Sequence, residues 1–276
     1  MKIKILPSFI IITLAAILLT GCKSSKPYPI TVLHTNDTHS QIDPFVKTDT
    51  LGGVLRRYQA ISDIRSKSKG TVLLLDAGDF WQGTPYFNLF GGEVEIELMN
   101  LMGYDAATLG NHEFDNGLDS LAAKLKKATF TIVCSNYRFP DCPELQNVIK
   151  EWLIIERKGL KIGIFGLTTS LDGLTFASTV ERTRYLDPVE VAKKMVKELR
   201  NHRCDVIICL SHLGFRPEPG RPMCDPILAS QVEGIDLIIS GHTHIEVDTV
   251  INGTHIVQTG WKGQKLGQVV INKEKK

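Results

Sequence analysis

Five short segments of this 276-residue chain carry side chains of the types that ligate metal ions. They are His34-Thr35-Asn36-Asp37-Thr38-His39, Asp76-Ala77-Gly78-Asp79, Gly110-Asn111-His112-Glu113-Phe114-Asp115, Ser211-His212 and Gly241-His242-Thr243-His244. A lone histidine after a strand is usually a hydrogen-bonded structural residue, and Asp37-x-His39 by itself is a weak signal. Five clusters in equivalent positions are different, because five independent structural reasons would have to coincide. Carboxylate, imidazole and amide donors together suit Zn, Mn or Fe better than calcium, and no CxxC pair offers a thiolate zinc site. The donors are too many for one ion and enough for two.

The segments before these clusters show what must position them. The clusters follow ITVL (Ile30–Leu33), TVLLL (Thr71–Leu75), the segment Asp105–Leu109, VIICL (Val206–Leu210) and the run Asp236–Ile239. Phe130–Cys134 and Lys161–Phe165 are similar runs. Their Val, Ile and Leu content, with little polar alternation, predicts strands covered on both faces. Between them, helical spacing appears over Leu51–Lys67, Glu93–Met102, Leu118–Lys127 and Val189–His202. Gly103 suits a C-terminal stop, and Asp187-Pro188 suits an N-cap followed by proline in the first turn. Gly253–Ile271 reads as two or three short strands. The β-α-β-α order implies a layered α/β domain, and the clusters fall at strand C-terminal ends, where open α/β sheets place their sites.

As a set, Asp37-x-His39, Gly78-Asp79, Gly110-Asn111-His112-Glu113, His212 and Gly241-His242-x-His244 resemble the motifs of the calcineurin-like metallophosphoesterases. More narrowly, the chain is similar to the catalytic domain of bacterial secreted 5′-nucleotidases and UDP-sugar hydrolases. The further matches are Leu33–His39, the Gly52-Gly53 pair opening a helix, Gly78-Asp79-Phe80-Trp81-Gln82-Gly83-Thr84 and Asn111-His112-Glu113-Phe114-Asp115. The resemblance spans residues 30–272 and implies a single-domain, four-layered α/β/β/α sandwich. It also implies two divalent ions, with Zn, Mn, Fe, Co and Mg as candidates. One would be held by Asp37, His39, Asp79 and His244, the other by Asp79, Asn111, His212 and His242, with Asp79 bridging. The last ligand position is Gln in some relatives and His here, and both side chains can ligate.

The resemblance further implies that His112 acts beside the leaving group and that Asp115 orients it. A histidine three residues before an aspartate on a loop or first helical turn can reach it, and imidazole titrates in a useful range. Two cations about 3.5–4 Å apart can grip phosphoryl oxygens and activate a bound water for in-line attack. The expected reaction is hydrolysis of phosphate esters, foremost 5′-nucleotides to nucleoside and phosphate. The same catalytic domain also serves 2′,3′-cyclic-nucleotide phosphodiesterases and a thiosulfate-pathway hydrolase, so these and a broad phosphoesterase are alternatives. A surface metal- or nucleotide-binding subunit without catalysis is another.

Other polar and aromatic residues read as support. Asp76 is a strand-end cap or a partner of the ligands; His34 and Asn36 brace the first loop; His202 and His255 are structural. Phe80 and Trp81 either pack or line a substrate mouth. The basic residues of Lys193–Arg203 form a solvated helix face. Cys134 and Cys142 flank a loop and could pair, while Cys209 lies in an apolar run and reads as a core thiol.

Composition sets the rest. Apolar residues make up 43% and charged residues 22%, ordinary for a globular domain. A net charge of +2 with mixed signs gives no reason to expect a nucleic-acid polymer as partner. Lys2 and Lys4 precede an apolar run, Ile5–Leu19, which ends at Leu19-Thr20-Gly21-Cys22. This resembles a bacterial lipoprotein signal over residues 1–21, with Cys22 lipidated and 22–29 a tether. The expected location is the cell envelope, anchored to a membrane and facing the periplasm or the exterior. The C-terminal substrate-recognition domain of secreted 5′-nucleotidases has no counterpart in these residues. A separate protein resembling it is an expected partner, with exposed Trp81 at the contact.

Overall fold

The computed structural model describes residues 29–45 and 51–272; the leader, Cys22 and most of its tether lie outside them. Two six-stranded sheets face each other. The first runs, in spatial order, Gly267–Ile271, Ile30–Thr35, Thr71–Asp76, Ala106–Ala107, Thr131–Val133 and Ile149–Lys150. All its pairings are parallel except the antiparallel edge strand Gly267–Ile271. The second runs Glu246–Ile251, Thr254–Thr259, Leu237–Ser240, Val206–His212, Leu160–Thr168 and Trp152–Arg157, parallel in its centre and antiparallel at both edges.

Side-chain alternation along these strands feeds separate cores. Val32, Leu73 and Leu75 meet Ile162, Ile164, Ile208, Leu210 and Ile239 between the sheets. Leu33 and Leu74 point the other way, toward the helices Val54–Lys67, Glu93–Met102 and Gly117–Leu125. Ile207 and Cys209 face the helices Pro188–Asn201 and Asp225–Gln231. Helix, sheet, sheet and helix are therefore stacked, as the resemblance implied. Because both sheet faces are dry, the central strands show no polar alternation.

Local chemistry sets several boundaries. The Asp187 carboxylate accepts from Glu190 N at 2.9 Å, with Pro188 next in the first turn, the cap expected from the sequence. The first helix starts at Val54 rather than Leu51, because Gly52 and Gly53 sit at φ 70° and 86°, outside the helical region. The edge strand Trp152–Arg157 was not foreseen; its residues alternate weakly and most are half-buried or exposed. The suggested Cys134–Cys142 disulfide is not formed: both are free, buried thiols. Cys134 Sγ lies 3.4 Å from Thr168 Oγ1, while Cys142 packs near Leu118 O. Cys209 is a core thiol, as expected.

Candidate metal centre

The polar clusters meet because the strands that carry them end at the same rim. After Thr35 and Asp76 the two loops continue side by side. Asp37 N donates to Gly78 O at 2.9 Å, His39 N to Asp79 O at 3.0 Å and Ser40 N to Phe80 O at 3.0 Å. The third loop closes on the second, with His112 N donating to Asp79 Oδ1 at 2.9 Å. Its approach leaves no room at Gly110, where a Cβ would fall 2.1 Å from that same oxygen. The second sheet arrives from across the sandwich. His242 N donates to both Asp37 carboxylate oxygens at 3.0 Å.

Two donor groups result. The ligand atoms of Asp37, His39, Asp79 and His244 lie within 4.8 Å of one another, and those of Asp79, His212 and His242 form a second group. Asp79 belongs to both. These are six of the seven ligands that the resemblance implies. The seventh, Asn111, sits beside them on the third loop, and its Oδ1 is buried without a hydrogen-bond partner. His112 flanks the group, its ring centroid 5.3 Å from that of His39. Its Nδ1 is 2.8 Å from Asp115 Oδ2.

The donors face one another in a way that calls for a cation. His212 Nδ1 donates to Ala77 O at 2.7 Å, so in the neutral ring the lone pair is on Nε2. That nitrogen lies 3.1 Å from Asp79 Oδ2, without the geometry of a hydrogen bond. Two acceptor atoms at this separation repel unless a proton or a metal ion mediates. His39 Nε2 and His244 Nε2 are 2.9 Å apart, a hydrogen bond in which only one of the two nitrogens can carry the proton. Burial alone would push the Asp79 carboxyl up, but His212, His39 and His112 together hold it well below the usual carboxylate range. The same pairing outweighs burial at His212 and pushes that imidazole up. Among the described residues, no lysine or arginine reaches Asp37 or Asp79. Buried carboxylates without a fixed cation fit a site built for divalent metal.

The backbone at this rim is unusual. Asp37, His39, Asp79, His242 and His244 have φ of 48°, 46°, 56°, 74° and 54°, a left-handed region uncommon for such residues. Strain of this kind persists where surrounding contacts over-determine it. Part of that support is Glu113, which is fully buried. Its carboxylate accepts from Asp79 N at 2.9 Å, Trp81 N at 3.0 Å and Gly110 N at 2.6 Å, tying the second loop to the third.

The supporting residues mostly do what the sequence suggested. Asn36 donates to Asp37 Oδ2 and to Gly260 O, each at 2.7 Å, and accepts from Thr259 N at 2.9 Å. It thus braces the first loop against the second sheet. Asp76 caps its strand, accepting from Thr35 Oγ1 at 2.5 Å and Gly78 N at 2.8 Å. Trp81 corrects an expectation. It is not an exposed contact residue or part of a substrate mouth but wholly buried, as is Phe80, and its indole packs over Gly92. The aromatic at the rim is Trp261, 38% exposed, stacked on the His244 ring at 5.0 Å and 15°. Nothing around Trp261 in the sequence marked it. Glu113 lay inside a recognised motif, but its buried role shows only in three dimensions.

Comparison with known proteins agrees with this geometry. Residues 30–246 match the family described as calcineurin-like phosphoesterase. The trifunctional nucleotide phosphoesterase YfkN of Bacillus subtilis is 34% identical over 88% of this chain and 18% of its own length. Rat 5′-nucleotidase is 33% identical over 86% of this chain and 42% of its own. The crystal structure of a 5′-nucleotidase precursor from Thermus thermophilus superposes with a TM-score of 0.81 at 32% identity, covering 89% of this chain and 51% of that one. The chain thus spans about half, or less, of the length of these relatives. Members of the matching family use two divalent metals, and the two donor groups sharing Asp79 offer places for them. A match running from the first strand to the last ligand loop, on a rim whose donors converge without a fixed cation, places this chain in the calcineurin-like phosphoesterase family.

Proposed function

We propose that the chain hydrolyses phosphate esters with two divalent metal ions, and that 5′-nucleotides are its principal substrates. The observation that carries this reading is the pair of donor groups joined through Asp79, with the His112–Asp115 pair beside them. Asp37, His39, Asp79 and His244 would hold one ion; Asp79, Asn111, His212 and His242 would hold the other. When bound, the ions polarise phosphoryl oxygens and make a water nucleophilic near neutral pH. The chain's own groups do the rest. Asp115 accepts a hydrogen bond from His112 Nδ1, which turns Nε2 toward the leaving oxygen as the proton donor. The five left-handed loop residues and the Glu113 tie keep the donors in place before substrate arrives, so little reorganisation is needed. Nucleotides are favoured because the similar proteins above are named for acting on them.

Two finer points belong to the same proposal. Phe80 and Trp81 are buried and cannot stack on a base, and Trp261 is engaged with His244. An open metal rim grips phosphate but little of the leaving group, so a separate recognition polypeptide would raise nucleotide preference. Lipidation at Cys22 would hold the enzyme at a membrane surface facing away from the cytoplasm.

A substrate panel tests the reading. AMP, UDP-glucose, 2′,3′-cyclic AMP and p-nitrophenyl phosphate are assayed with Mn²⁺ or Zn²⁺, and AMP should be turned over. Asp79→Ala should lose both ions and lower kcat/KM roughly a thousandfold or more, about 4 kcal/mol of barrier. No turnover of any phosphoester with any divalent metal would remove the enzymatic reading, and undiminished turnover in Asp79→Ala would remove the ligand assignment.

A further inference from the structure

His242 is held at two points, and the second comes from a residue outside every recognised motif. Its backbone N–H is on Asp37. Its ring Nε2 lies 3.2 Å from Glu218 Oε2, a carboxylate that arrives on the loop following Val206–His212. The His242 side chain is 9% exposed and that of Glu218 33%.

The loop is built to present that carboxylate. Glu218-Pro219-Gly220-Arg221 closes on itself, Glu218 N donating to Arg221 O at 3.0 Å and Arg221 N to Glu218 O at 2.9 Å. Gly220 sits at φ 75°, and proline followed by a left-handed glycine is the pattern of a type II turn. Arg221 Nε, 3.2 Å away, donates to the same Oε2 that meets His242. Arg221 Nη1 then ties the turn to Asp172 O at 3.0 Å. The loop is also fixed beside the histidine, with Phe215 N donating to Thr243 Oγ1 at 3.2 Å and Asp225 N to Gly214 O at 2.8 Å. These contacts hold Glu218 over one edge of one imidazole.

Other histidines at this rim have an outer nitrogen spoken for in a comparable way: His212 by Ala77 O, His112 by Asp115. A metal-bound imidazole carries its proton on the nitrogen away from the ion, and a carboxylate accepting that hydrogen bond fixes both tautomer and ring angle. We propose that Glu218 is a positioning residue of the metal centre, accepting the Nε2–H of His242 so that Nδ1 keeps the lone pair for the ion shared with Asp79 and His212. The proposal rests on the two-metal reading above. It separates Glu218 from an ordinary surface ion pair with Arg221, which would contribute little to stability and nothing to metal affinity.

The test is a metal titration of the full chain. Wild type, Glu218→Gln and Glu218→Ala are stripped with chelator and reloaded with Zn²⁺ or Mn²⁺. Bound metal is counted by elemental analysis, and affinity is read by chelator competition. Wild type should take two ions. Glu218→Ala should keep one at wild-type affinity and bind the other roughly 10- to 100-fold more weakly. Glu218→Gln, which retains an acceptor without the charge, should fall between. The metal concentration for half-maximal turnover should rise in the same order, with kcat largely recovered at saturation. Because Glu218 is partly exposed, both variants should melt within a few degrees of wild type. Folded variants that bind both ions at wild-type affinity overturn the role of Glu218 alone. A wild-type chain that binds no ion overturns the two-metal reading, and this proposal with it.

Discussion

His112 and Asp115 face each other across a single 3₁₀ turn, Nδ1 to Oδ2 at 2.8 Å, with the two side chains 28% and 24% exposed. The pair lies at the mouth of the site rather than inside it. Asp115 meets the Nδ1 edge of the ring, so in the proposed reaction it acts through His112.

His112→Ala should therefore lower kcat by roughly 10²- to 10⁴-fold, the usual contribution of a positioned acid or base. Asp115→Asn should cost less, roughly tenfold to a hundredfold, since the ring remains but loses its fixed tautomer. Both variants should bind two ions. Steady-state kinetics paired with a metal count checks this; parallel loss of metal would show His112 to be a ligand instead.

Glu113 offers a prediction about stability. Its carboxylate satisfies three buried N–H groups, and Glu113→Ala would leave all of them unpaired. At about 1 kcal/mol or more for each, the variant should lose roughly 3 kcal/mol in urea unfolding of the metal-free chain. The loops of Asp79 and Asn111 should then part, and metal affinity should fall with stability. A variant as stable as wild type would mean that these amides find water or another acceptor.

His34 predicts a pH dependence away from the metal centre. Burial, reinforced by the charge of His255 and partly offset by Asp248, pushes its pKa down to about 4. The unfolded chain binds this proton near pH 6.5, the folded chain only near 4. The unfolded state thus holds more protons in that window, and stability is lost as pH falls from 6.5 toward 4. The shift corresponds to about 3 kcal/mol. His34→Phe keeps a flat ring against Gly267 but cannot titrate. Chemical denaturation at about pH 7, 5.5 and 4.5 should show a shallower acid loss in the variant; identical slopes would exclude His34 as a source.

Cys22→Ser should abolish incorporation of labelled palmitate and leave the precursor uncleaved or the protein released from membranes. Stable attachment needs more than one acyl chain, so fractionation should be all or none. Unchanged labelling in the variant would place the lipid on another residue and overturn the role of Cys22.

Much of the frame was legible because it rests on local pattern. Unbroken apolar runs such as Val206–Leu210 can be satisfied only by a strand covered on both faces, and Asp187-Pro188 carries its own helix start. The candidate donors were legible too, since Asp37, His39, Asp79, Asn111, His212, His242 and His244 follow apolar runs whatever the packing. The joining of those ends was decided by tertiary structure: Asp37 meets His242 across 205 positions of chain, and no local period encodes such a contact. The left-handed backbone of Asp37, His39, Asp79, His242 and His244 belongs to the same class. It is an unfavourable local choice, held in place by hydrogen bonds between loops from both sheets. Trp81 was misjudged for a related reason: it follows a ligand loop in sequence, but whether an aromatic faces solvent or core depends on the helix above it, and here Gly92 opens the space that takes the ring in. Glu218 had no signal at all, because a carboxylate in a proline-containing turn acquires meaning only when a distant imidazole lies 3.2 Å away.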